Sequence, residues 1–525
     1  MPKRTSTHDL ILHERPAGTP LSHWIHQELR EAILAGRLPA GARLPSTRDL
    51  ARQWHVARST VVTAFEQLRA EGYVHGTVGA GTVVAMTLPE EFLQVRVRQA
   101  AAPVPLPPPA VLRDCVGAGP AGPLARLCRR RAVRPFLSQR GQRLATSPFP
   151  RDAAVDISYP FRTGQPALDM FPCALWSRLA ARVQRQASRL LFAHGDARGY
   201  APLRDAIATY LGTARGVQCT AEQVVIVSGT QLALDLVARL LLDPGETAWV
   251  EDPGFPGARR ILAAAGAQLV LIPVDTAGLD VTTGRTLAPH AKLVYVTPAR
   301  QCPLGMPMAL ERRLALLQWA REANGWIFED DYDSEYRYQG RPLAALQGLD
   351  PSGCVIYAGN FSKVLFPALR LAYVVLPPRL VDAFVAAHSL VDRYAPVLDQ
   401  AVLAAFMSEG HFARHIRRMR TLYAERLQAF VTATHASCDD LLHVADVAAG
   451  LETIGWLPAG VDAQHITALA TARGLEVRPL SAYVLQRSQP PGLVLGFATV
   501  PAHTMPHAVQ RLAQVLRSAR RQKMG

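Results

Sequence analysis

The sequence has 525 residues, of which 49% are hydrophobic, and its 57 Lys and Arg exceed its 42 Asp and Glu to give a net charge of +15. This size predicts two to four domains, and the composition excludes a disordered chain. No apolar run approaches the roughly 20 residues that span a bilayer, and the N-terminus lacks the apolar core of a secretory signal, so we expect a cytoplasmic protein without membrane contact. The seven cysteines are scattered without a CxxC pair, so we expect reduced thiols and no metal site.

The positive charge lies mostly near the N-terminus. Residues 1–150 contain 20 Lys and Arg against 10 Asp and Glu, so +10 of the +15 belongs to this part of the chain. A basic segment joined to a nearly balanced remainder favours an anionic partner. The alternative is a basic protein that is merely soluble.

Residues 15–86 predict three helices followed by two short strands. Leu21–Leu34 places its apolar residues largely on one helical stripe, and GRLPAG then ends the helix. Ser46, with Asp49 three residues later, is suited to cap a second helix. A third helix follows the short turn HVARST, and residues 73–84 predict a hairpin around a glycine-rich turn.

Helix, turn, helix and a hairpin wing form an arrangement that lays the third helix in the major groove of DNA. Groups at the start of that helix can meet phosphates and base edges, and an arginine at the start of the second helix suits a backbone phosphate. The candidate DNA-binding residues are Arg48, Arg58, Ser59, Thr60, Gly79 and Gly81. The alternative is an unrelated three-helix bundle with surface arginines. The string LPSTRDLA…VARSTVVTAF…AEGY…GAGT resembles the winged helix of the GntR regulator family, which implies operator DNA as a partner.

Residues 87–150 predict a linker. They include APVPLPPPA, GAGPAGP and the basic run RLCRRRAVR. Proline at this density removes backbone donors and stiffens the chain, so we expect a partly extended segment.

From about residue 155 onward, short apolar runs alternate with amphipathic helical stretches. The runs include VVIVSG, TAWVEDP, QLVLIPV, KLVYVTP, GWIFEDD, CVIYAGN and LAYVVLP. Buried strands separated by helices predict an α/β fold with a mostly parallel sheet covered on both faces.

Several segments of this C-terminal part together suit pyridoxal phosphate (PLP). This cofactor needs an amine, a carboxylate at the ring nitrogen, a hydrogen bond to the ring hydroxyl, a stacking face and phosphate donors. Lys363 follows an apolar strand and an Asn-Phe-Ser loop, so its amine can lie in a partly dry pocket that lowers its pKa toward reactivity. Taken alone, it would be an ordinary solvated lysine.

The run FEDDYDSEY follows the strand WIF and concentrates acids at its carboxyl end, where α/β sheets bind ligands. We expect Asp330 to pair with the ring nitrogen and Tyr332 to reach the ring hydroxyl. A solvated acidic loop is the alternative, and the absence of His or Cys in this run disfavours a metal site.

The phosphate would be held where the strand VVIVS enters a helix, with free backbone N–H groups and polar side chains at the turn. The candidates there are Ser228, Gly229, Thr230 and Gln231, with Ser362 and Arg370 as further donors. Phe255, on the Pro/Gly-rich loop EDPGFPG, is suited to stack on the ring, although a core phenylalanine is the alternative.

The strings FRTGQPALDMFP, GDARGYAPLRDAIATYL, SGTQLALDL, TPARQCPLG, EDDYDSEYRY and NFSKVLFPALRLAY resemble a fold type I aminotransferase. The whole chain resembles the MocR subfamily of GntR-type regulators. This resemblance implies that Lys363 attaches PLP covalently, and it gives Asp330, Tyr332, Ser362 and Arg370 the roles described above. It also implies an aminotransferase-like domain, with a large part and a small part, and a head-to-tail, domain-swapped homodimer. The domain is expected over residues 151–525, its large part over 195–395 and its small part over 151–194 and 396–525.

The sequence departs from the aminotransferase pattern at three points. Val494 stands where we place the arginine that binds a substrate α-carboxylate, and Arg478 is the nearby substitute. Leu304 replaces a small hydroxyl residue and is expected to make the pocket more apolar. His194 stands where a tyrosine from the partner subunit often reaches the phosphate.

The sequence therefore predicts a PLP-binding transcription regulator that senses PLP or an amine or amino-acid effector, with control of vitamin B6 metabolism as one hypothesis. A working aminotransferase with a tethered DNA-binding domain is the alternative, and a regulator that has lost PLP is a third. Val494 argues against efficient turnover of amino acids, so we expect a sensor and not an enzyme, with residual half-transamination as its only chemistry.

Overall fold

The computed structural model describes residues 21–70, 73–77, 81–85, 137–145, 159–187, 189–339, 343–438, 440–445, 447–486 and 489–524. The chain divides into two units, residues 1–130 and 131–525, and each has its own hydrophobic core. None of the helices in the described ranges is long and apolar enough to cross a lipid bilayer.

The N-terminal unit contains three helices and a two-stranded antiparallel hairpin. These elements are α1 (Leu21–Leu34), α2 (Thr47–Gln53), α3 (Arg58–Ala70), β1 (Val74–Thr77) and β2 (Gly81–Val84). Ser46 caps α2, because its Oγ accepts a hydrogen bond from the backbone N–H of Asp49 at 3.2 Å. Ile25, Leu50 and Leu68 are fully buried between the helices. The predicted winged helix-turn-helix is confirmed.

The C-terminal unit is built on an eight-stranded sheet in the order β3-β10-β9-β8-β7-β4-β5-β6. Its strands are β3 (Val224–Val227), β4 (Thr247–Asp252), β5 (Gln268–Asp275), β6 (Gly278–Leu279), β7 (Leu293–Val296), β8 (Trp326–Asp331), β9 (Val355–Asn360) and β10 (Ala372–Val375). The five strands from β9 to β5 are parallel, while β10 and β6 pair antiparallel with their neighbours. The predicted, mostly parallel sheet is confirmed.

Both faces of this sheet are covered, as continuous apolar strands require. In β3, Val224 and Ile226 pack into one core while Val225 and Val227 pack into another, because successive side chains point to opposite faces. The helices of this unit are α4 (Gln139–Ala145), α5 (Cys173–Gln186), α6 (Ala201–Arg215), α7 (Thr230–Leu241), α8 (Pro256–Ala265), α9 (Val281–Leu287), α10 (Leu310–Ala323), α11 (Pro378–Val391), α12 (Val397–Ser408), α13 (His411–Cys438), α14 (Ala463–Ala472) and α15 (Met505–Met524).

Short 3-10 helices join several of these elements. They are Leu168–Met170, Arg189–Phe192, Ala221–Gln223, Gln347–Leu349, Pro367–Leu369 and Leu480–Tyr483. Helix α4 falls inside the predicted linker of residues 87–150, and the linker residues other than 137–145 lie outside the described ranges.

A second sheet has four antiparallel strands in the order β11-β12-β14-β13. They are β11 (His443–Val444), β12 (Glu452–Trp456), β13 (Arg478–Pro479) and β14 (Gly492–Gly496). All four come from the segment expected to form most of the small part, and Val444 of β11 with Leu493 and Leu495 of β14 share a core with α13 and α15. The domain boundaries themselves stay predictions.

We expect Leu403→Ala to lower the free energy of unfolding by about 2–5 kcal/mol, because it leaves a cavity in a core that does not collapse around it. Leu403 is fully buried on α12. Leu287→Ala, at a position that is 60% exposed, is the matched control and should change stability by less than about 0.5 kcal/mol. Urea unfolding followed by circular dichroism measures both, and equal effects would contradict this packing.

Candidate functional site

A cavity of about 490 Å³ lies at the carboxyl ends of the parallel strands, next to the second sheet. Phe255 lies after β4 and Thr297 follows β7. Asp330 is the penultimate residue of β8 and Asn360 is the last residue of β9, and all four line the cavity. Carboxyl ends of parallel strands meet at one edge of a sheet, which is where α/β folds bind ligands.

Lys363 lies in this cavity beyond the end of β9. Its Nζ donates a hydrogen bond to the carbonyl oxygen of Gly164 at 2.8 Å. The loop before it is held by Asn360, whose Oδ1 accepts from the backbone N–H groups of Ser362 (3.1 Å) and Lys363 (3.4 Å). A Cβ on Gly164 would lie 2.0 Å from Nζ, and the φ of this residue is +67°, so glycine is required there.

Asp330 presents an unpaired oxygen. Its Oδ2 accepts a hydrogen bond from the hydroxyl of Tyr295 at 2.6 Å, while the buried Oδ1 has no partner in the structure. Burial raises the pKa of Asp330 to about 7, because a carboxylate loses its hydration there. A protonated ring nitrogen would supply both the missing donor and a compensating charge.

Tyr332 also lines the cavity, and its hydroxyl is oriented by an arginine. Arg300 donates to the Tyr332 hydroxyl at 2.8 Å and pairs with Asp333 at 3.1 Å. The same guanidinium bonds the carbonyl oxygens of Ala449 and Glu452, at and near the start of β12. Arg300 lies in the string TPARQCPLG, but sequence reasoning gave it no role.

The opposite end of the cavity suits an anion. Gly229, Thr230 and Gln231 line it at the N-terminus of α7, together with Ser362 and Arg370. The Oγ1 of Thr230 is buried without a hydrogen-bond partner, and a Cβ on Gly229 would lie 3.3 Å from Nη2 of Arg370. Free backbone N–H groups, a hydroxyl and a guanidinium match the oxygens of a phosphate.

Ser228 is the one predicted cofactor residue that does not line this cavity. Its hydroxyl instead donates a hydrogen bond to the carboxylate of Asp392, which follows α11. An ionised acceptor is a stronger partner than a neutral one, so Asp392 turns this side chain away from the phosphate end.

The three departures from the aminotransferase pattern lie in different places. Val494 is fully buried on β14 and packs with Cys302 and Tyr483, next to Phe255 and Tyr332. Phe255, Cys302, Tyr332 and Tyr483 line the cavity, whereas Val494 packs against this group without lining the cavity itself. Leu304 was expected to make the pocket more apolar, but it does not line the cavity, and its backbone N–H donates to the side-chain oxygen of Gln301 at 2.9 Å.

Arg478 lines the cavity, pairs in register with Val494 across the β13–β14 ladder, and lies 3.9 Å from Glu476. His194 lies outside the cavity, with its Nδ1 3.1 Å from the hydroxyl of Tyr394. Its expected role at the phosphate therefore has no support within the single chain.

The candidate DNA-binding residues lie on the N-terminal unit. Arg48, Arg58 and Ser59 are exposed on α2 and at the start of α3, and Thr60 is half-buried. Gly81 begins β2 with a φ of +84°, and its missing Cβ would lie 3.0 Å from Nε of Arg43, an exposed arginine that sequence reasoning missed. Gly79 lies outside the described residues.

Fold and site together define a PLP-dependent, fold type I aminotransferase-like unit joined to a winged helix-turn-helix. Residues 160–512 match the aminotransferase class I and II family, and residues 21–84 match the gntR family of bacterial regulatory proteins. The chain therefore belongs to the MocR subfamily of GntR-type transcriptional regulators, and its cofactor is PLP.

Several transcriptional regulators match this sequence over nearly the whole chain. The probable rhizopine catabolism regulatory protein MocR of Rhizobium meliloti is 40% identical over 96% of this chain and 95% of its own. The transcriptional regulator TauR of Rhodobacter capsulatus is 32% identical, covering 95% and 96%. The pyridoxine biosynthesis regulator PdxR of Corynebacterium glutamicum is 27% identical, covering 93% and 94%.

Solved structures match the C-terminal unit. The α-aminoadipate aminotransferase LysN of Thermus thermophilus, complexed with N-(5'-phosphopyridoxyl)-L-leucine, has a TM-score of 0.64 and 28% identity, covering 70% of this chain and 94% of that one. The kynurenine aminotransferase of Pyrococcus horikoshii also has a TM-score of 0.64, with 26% identity, and covers 76% and 98%.

We expect Asp330→Asn to stabilise the cofactor-free protein at about pH 8 and to have a smaller effect at about pH 5. The folded-state pKa of Asp330, about 7, lies above its ordinary value of 3.8. The folded protein therefore holds a proton that the unfolded chain has released, so the contribution of Asp330 to stability is complete below about pH 4 and is lost as the pH rises to about 7.

Urea unfolding of wild type and variant at both pH values measures this difference. Asp275→Asn, which removes a carboxylate with a half-exposed side chain on β5, is the control for the loss of one charge. A stability difference that does not depend on pH would contradict the raised pKa.

Proposed function

We propose that this regulator senses an amine through PLP held at Lys363 and changes its binding to operator DNA in response. One observation supports it most directly: the amine of Lys363, the open oxygen of Asp330 and the phosphate-binding end share one cavity. The cavity thus has the groups that would hold PLP. At position 494, where we place the arginine for an amino-acid carboxylate, the chain has a valine packed against the lining residues Cys302 and Tyr483.

PLP supplies an aldehyde that combines reversibly with primary amines. Lys363 would hold this aldehyde through its amine, and an incoming primary amine would compete for the same group without any oxidant or reductant. Asp330 would hold a proton on the ring nitrogen, and Tyr332, positioned by Arg300, would donate to the ring hydroxyl. Gly229, Thr230 and Arg370 would bind the phosphate.

Such a sensor works only if binding of the amine and binding of DNA are energetically coupled. An amine alters DNA affinity when it binds the DNA-competent and DNA-incompetent conformations with different affinities. Control of vitamin B6 metabolism, favoured by the likeness to PdxR, requires instead that PLP alone changes DNA binding.

We further infer that the protein acts in the cytoplasm, where operator DNA is found, as a head-to-tail, domain-swapped homodimer whose predicted linker carries each winged helix to its partner. Two winged helices imply paired half-sites on the operator. Sedimentation of the full chain, alone and with operator DNA, tests this assembly.

Lys363→Ala should abolish the absorbance band of bound PLP near ~420 nm and any response of DNA binding to PLP or amines. Lys292→Ala, at a lysine outside the cavity, should leave both intact. The measurement is a spectrum of the purified protein, followed by footprinting upstream of its own gene with and without PLP and amines. A colourless wild type that cannot be loaded with PLP would refute the proposal.

Steady-state transfer of amino groups at ordinary enzyme rates, with no ligand effect on DNA, would favour the alternative of a working aminotransferase. The apolar cluster around Val494 argues against this outcome for amino acids, because it supplies no charge-assisted partner for their carboxylate.

If Arg58 contacts a base, Arg58→Ala should weaken operator binding by about 1–3 kcal/mol. If Arg58 contacts a backbone phosphate, the variant should reduce by about 1 the slope of the logarithm of the binding constant against the logarithm of the salt concentration. Arg178→Ala, at an exposed arginine on α5, is the charge-matched control. Fluorescence anisotropy with labelled operator over a range of salt concentrations distinguishes the two. Unchanged affinity at every salt concentration would remove Arg58 from the interface.

A further inference from the structure

Glu452 is a buried carboxylate in the PLP cavity to which the proposed function gives no role. It is the first residue of β12, is 6% exposed, and lines the cavity. Its Oε2 lies 4.0 Å from the point where a Cβ on Gly164 would be, and that point is 2.0 Å from Nζ of Lys363. The carboxylate therefore lies beside the amine where an incoming ligand must arrive.

The position of Glu452 is fixed by its backbone. The residue pairs with Gly496 in the β12–β14 ladder, and its carbonyl oxygen accepts a hydrogen bond from Arg300. A Cβ on Gly450 would lie 2.1 Å from Nε of Arg300, so the absence of a side chain there lets this guanidinium approach β12. The carboxylate is thus held at the cavity wall by contacts that leave its own oxygens open.

Among the described residues, none donates a hydrogen bond to the Glu452 carboxylate. Because Glu452 lines the cavity, its carboxylate oxygens can accept hydrogen bonds from a ligand there. A ligand that brings a hydrogen-bond donor to this point gains a charge-assisted hydrogen bond, whereas a ligand that brings a second carboxylate adds repulsion between like charges.

The neighbouring groups strengthen this selection. The cluster of Cys302, Tyr483 and Val494 offers no cation for a ligand carboxylate on its side. Arginines line the cavity as well: Arg162 and Arg478 lie 3.6 and 3.9 Å from Glu476, so part of their charge is already balanced, and Arg260 lies on α8.

We propose that Glu452 selects the effector, which is a primary amine whose far end carries hydroxyl or ammonium donors and no carboxylate. This inference rests on the proposed function, because it describes the ligand of the same PLP cavity. It assigns to Glu452 a specificity role: the amine end is recognised by its reaction with PLP, and the far end is recognised by its donors.

The test uses full-length, PLP-loaded protein and three primary amines with the same number of carbon atoms. γ-Aminobutyrate ends in a carboxylate, the corresponding aminobutanol ends in a hydroxyl, and putrescine ends in a second ammonium. Wild type should bind aminobutanol and putrescine more tightly than γ-aminobutyrate. Glu452→Gln should weaken putrescine binding at least ~10-fold, since a hydrogen bond to a charged group is lost, and should narrow the preference over γ-aminobutyrate. Titration calorimetry and the shift in operator affinity are the two readouts.

Two further variants keep the result interpretable. Glu452→Asp retains the charge and should retain the order of preference, while Glu425→Gln, at an exposed glutamate on α13, should change nothing. The PLP absorbance band reports that each variant is folded and loaded.

If Glu452→Gln keeps that band, DNA binding and wild-type amine affinities, the role of Glu452 is refuted and the proposed function stands. If wild-type DNA binding responds to no amine, the proposed function fails and this inference fails with it.

Discussion

The buried guanidinium of Arg300 is the interaction on which the cofactor site depends. It is 2% exposed and joins the loop after β7 to the acidic segment after β8 and to β12 of the second sheet. Burial opposes its charge, but the Asp333 carboxylate raises the pKa of Arg300 overall, so the side chain remains a cation. Removing either partner would leave an uncompensated charge in the interior, so the pair sets the spacing between the two sheets at the cavity.

The same constraint organises the acids near the end of β8. Each is compensated differently: Glu329 accepts from the backbone N–H groups of Leu346 and Gln347, Asp331 pairs with Arg215 at 2.7 Å, and Asp333 pairs with Arg300. Asp330, which faces the cavity, has the Tyr295 hydroxyl and no arginine partner among the described residues. Four carboxyls within five positions can be buried together because three are compensated locally and the fourth is left for a ligand. The acidic run thus combines one binding position with structural ones, among them Glu335, which accepts a hydrogen bond from the Tyr210 hydroxyl at 3.0 Å.

Much of this arrangement could be predicted from local sequence. The Ser46 cap, the buried strands and the order of Asp330, Lys363 and Arg370 depend on neighbours along the chain or on strand-end geometry. Contacts between distant segments could not be predicted in this way. Ser228 turns toward Asp392, 164 residues away, and the Gly164 carbonyl meets Lys363 from 199 residues away. No local sequence pattern pointed to Arg300 or Glu452 for the same reason, because their roles arise only where the two sheets meet.

Sensing and catalysis make different demands on one cavity. A transaminase gains rate from groups that bind the transition state more tightly than the ground state, whereas a sensor needs reversible binding that distinguishes ligands. Reaction with PLP alone admits every small primary amine, and an apolar wall rejects few of them, because such walls discriminate weakly. A buried group that must be hydrogen-bonded discriminates strongly, since a ligand without the matching donor leaves that group unpaired. Glu452 beside Lys363 places this requirement next to the amine-binding chemistry, so both ends of the ligand are tested in one binding event.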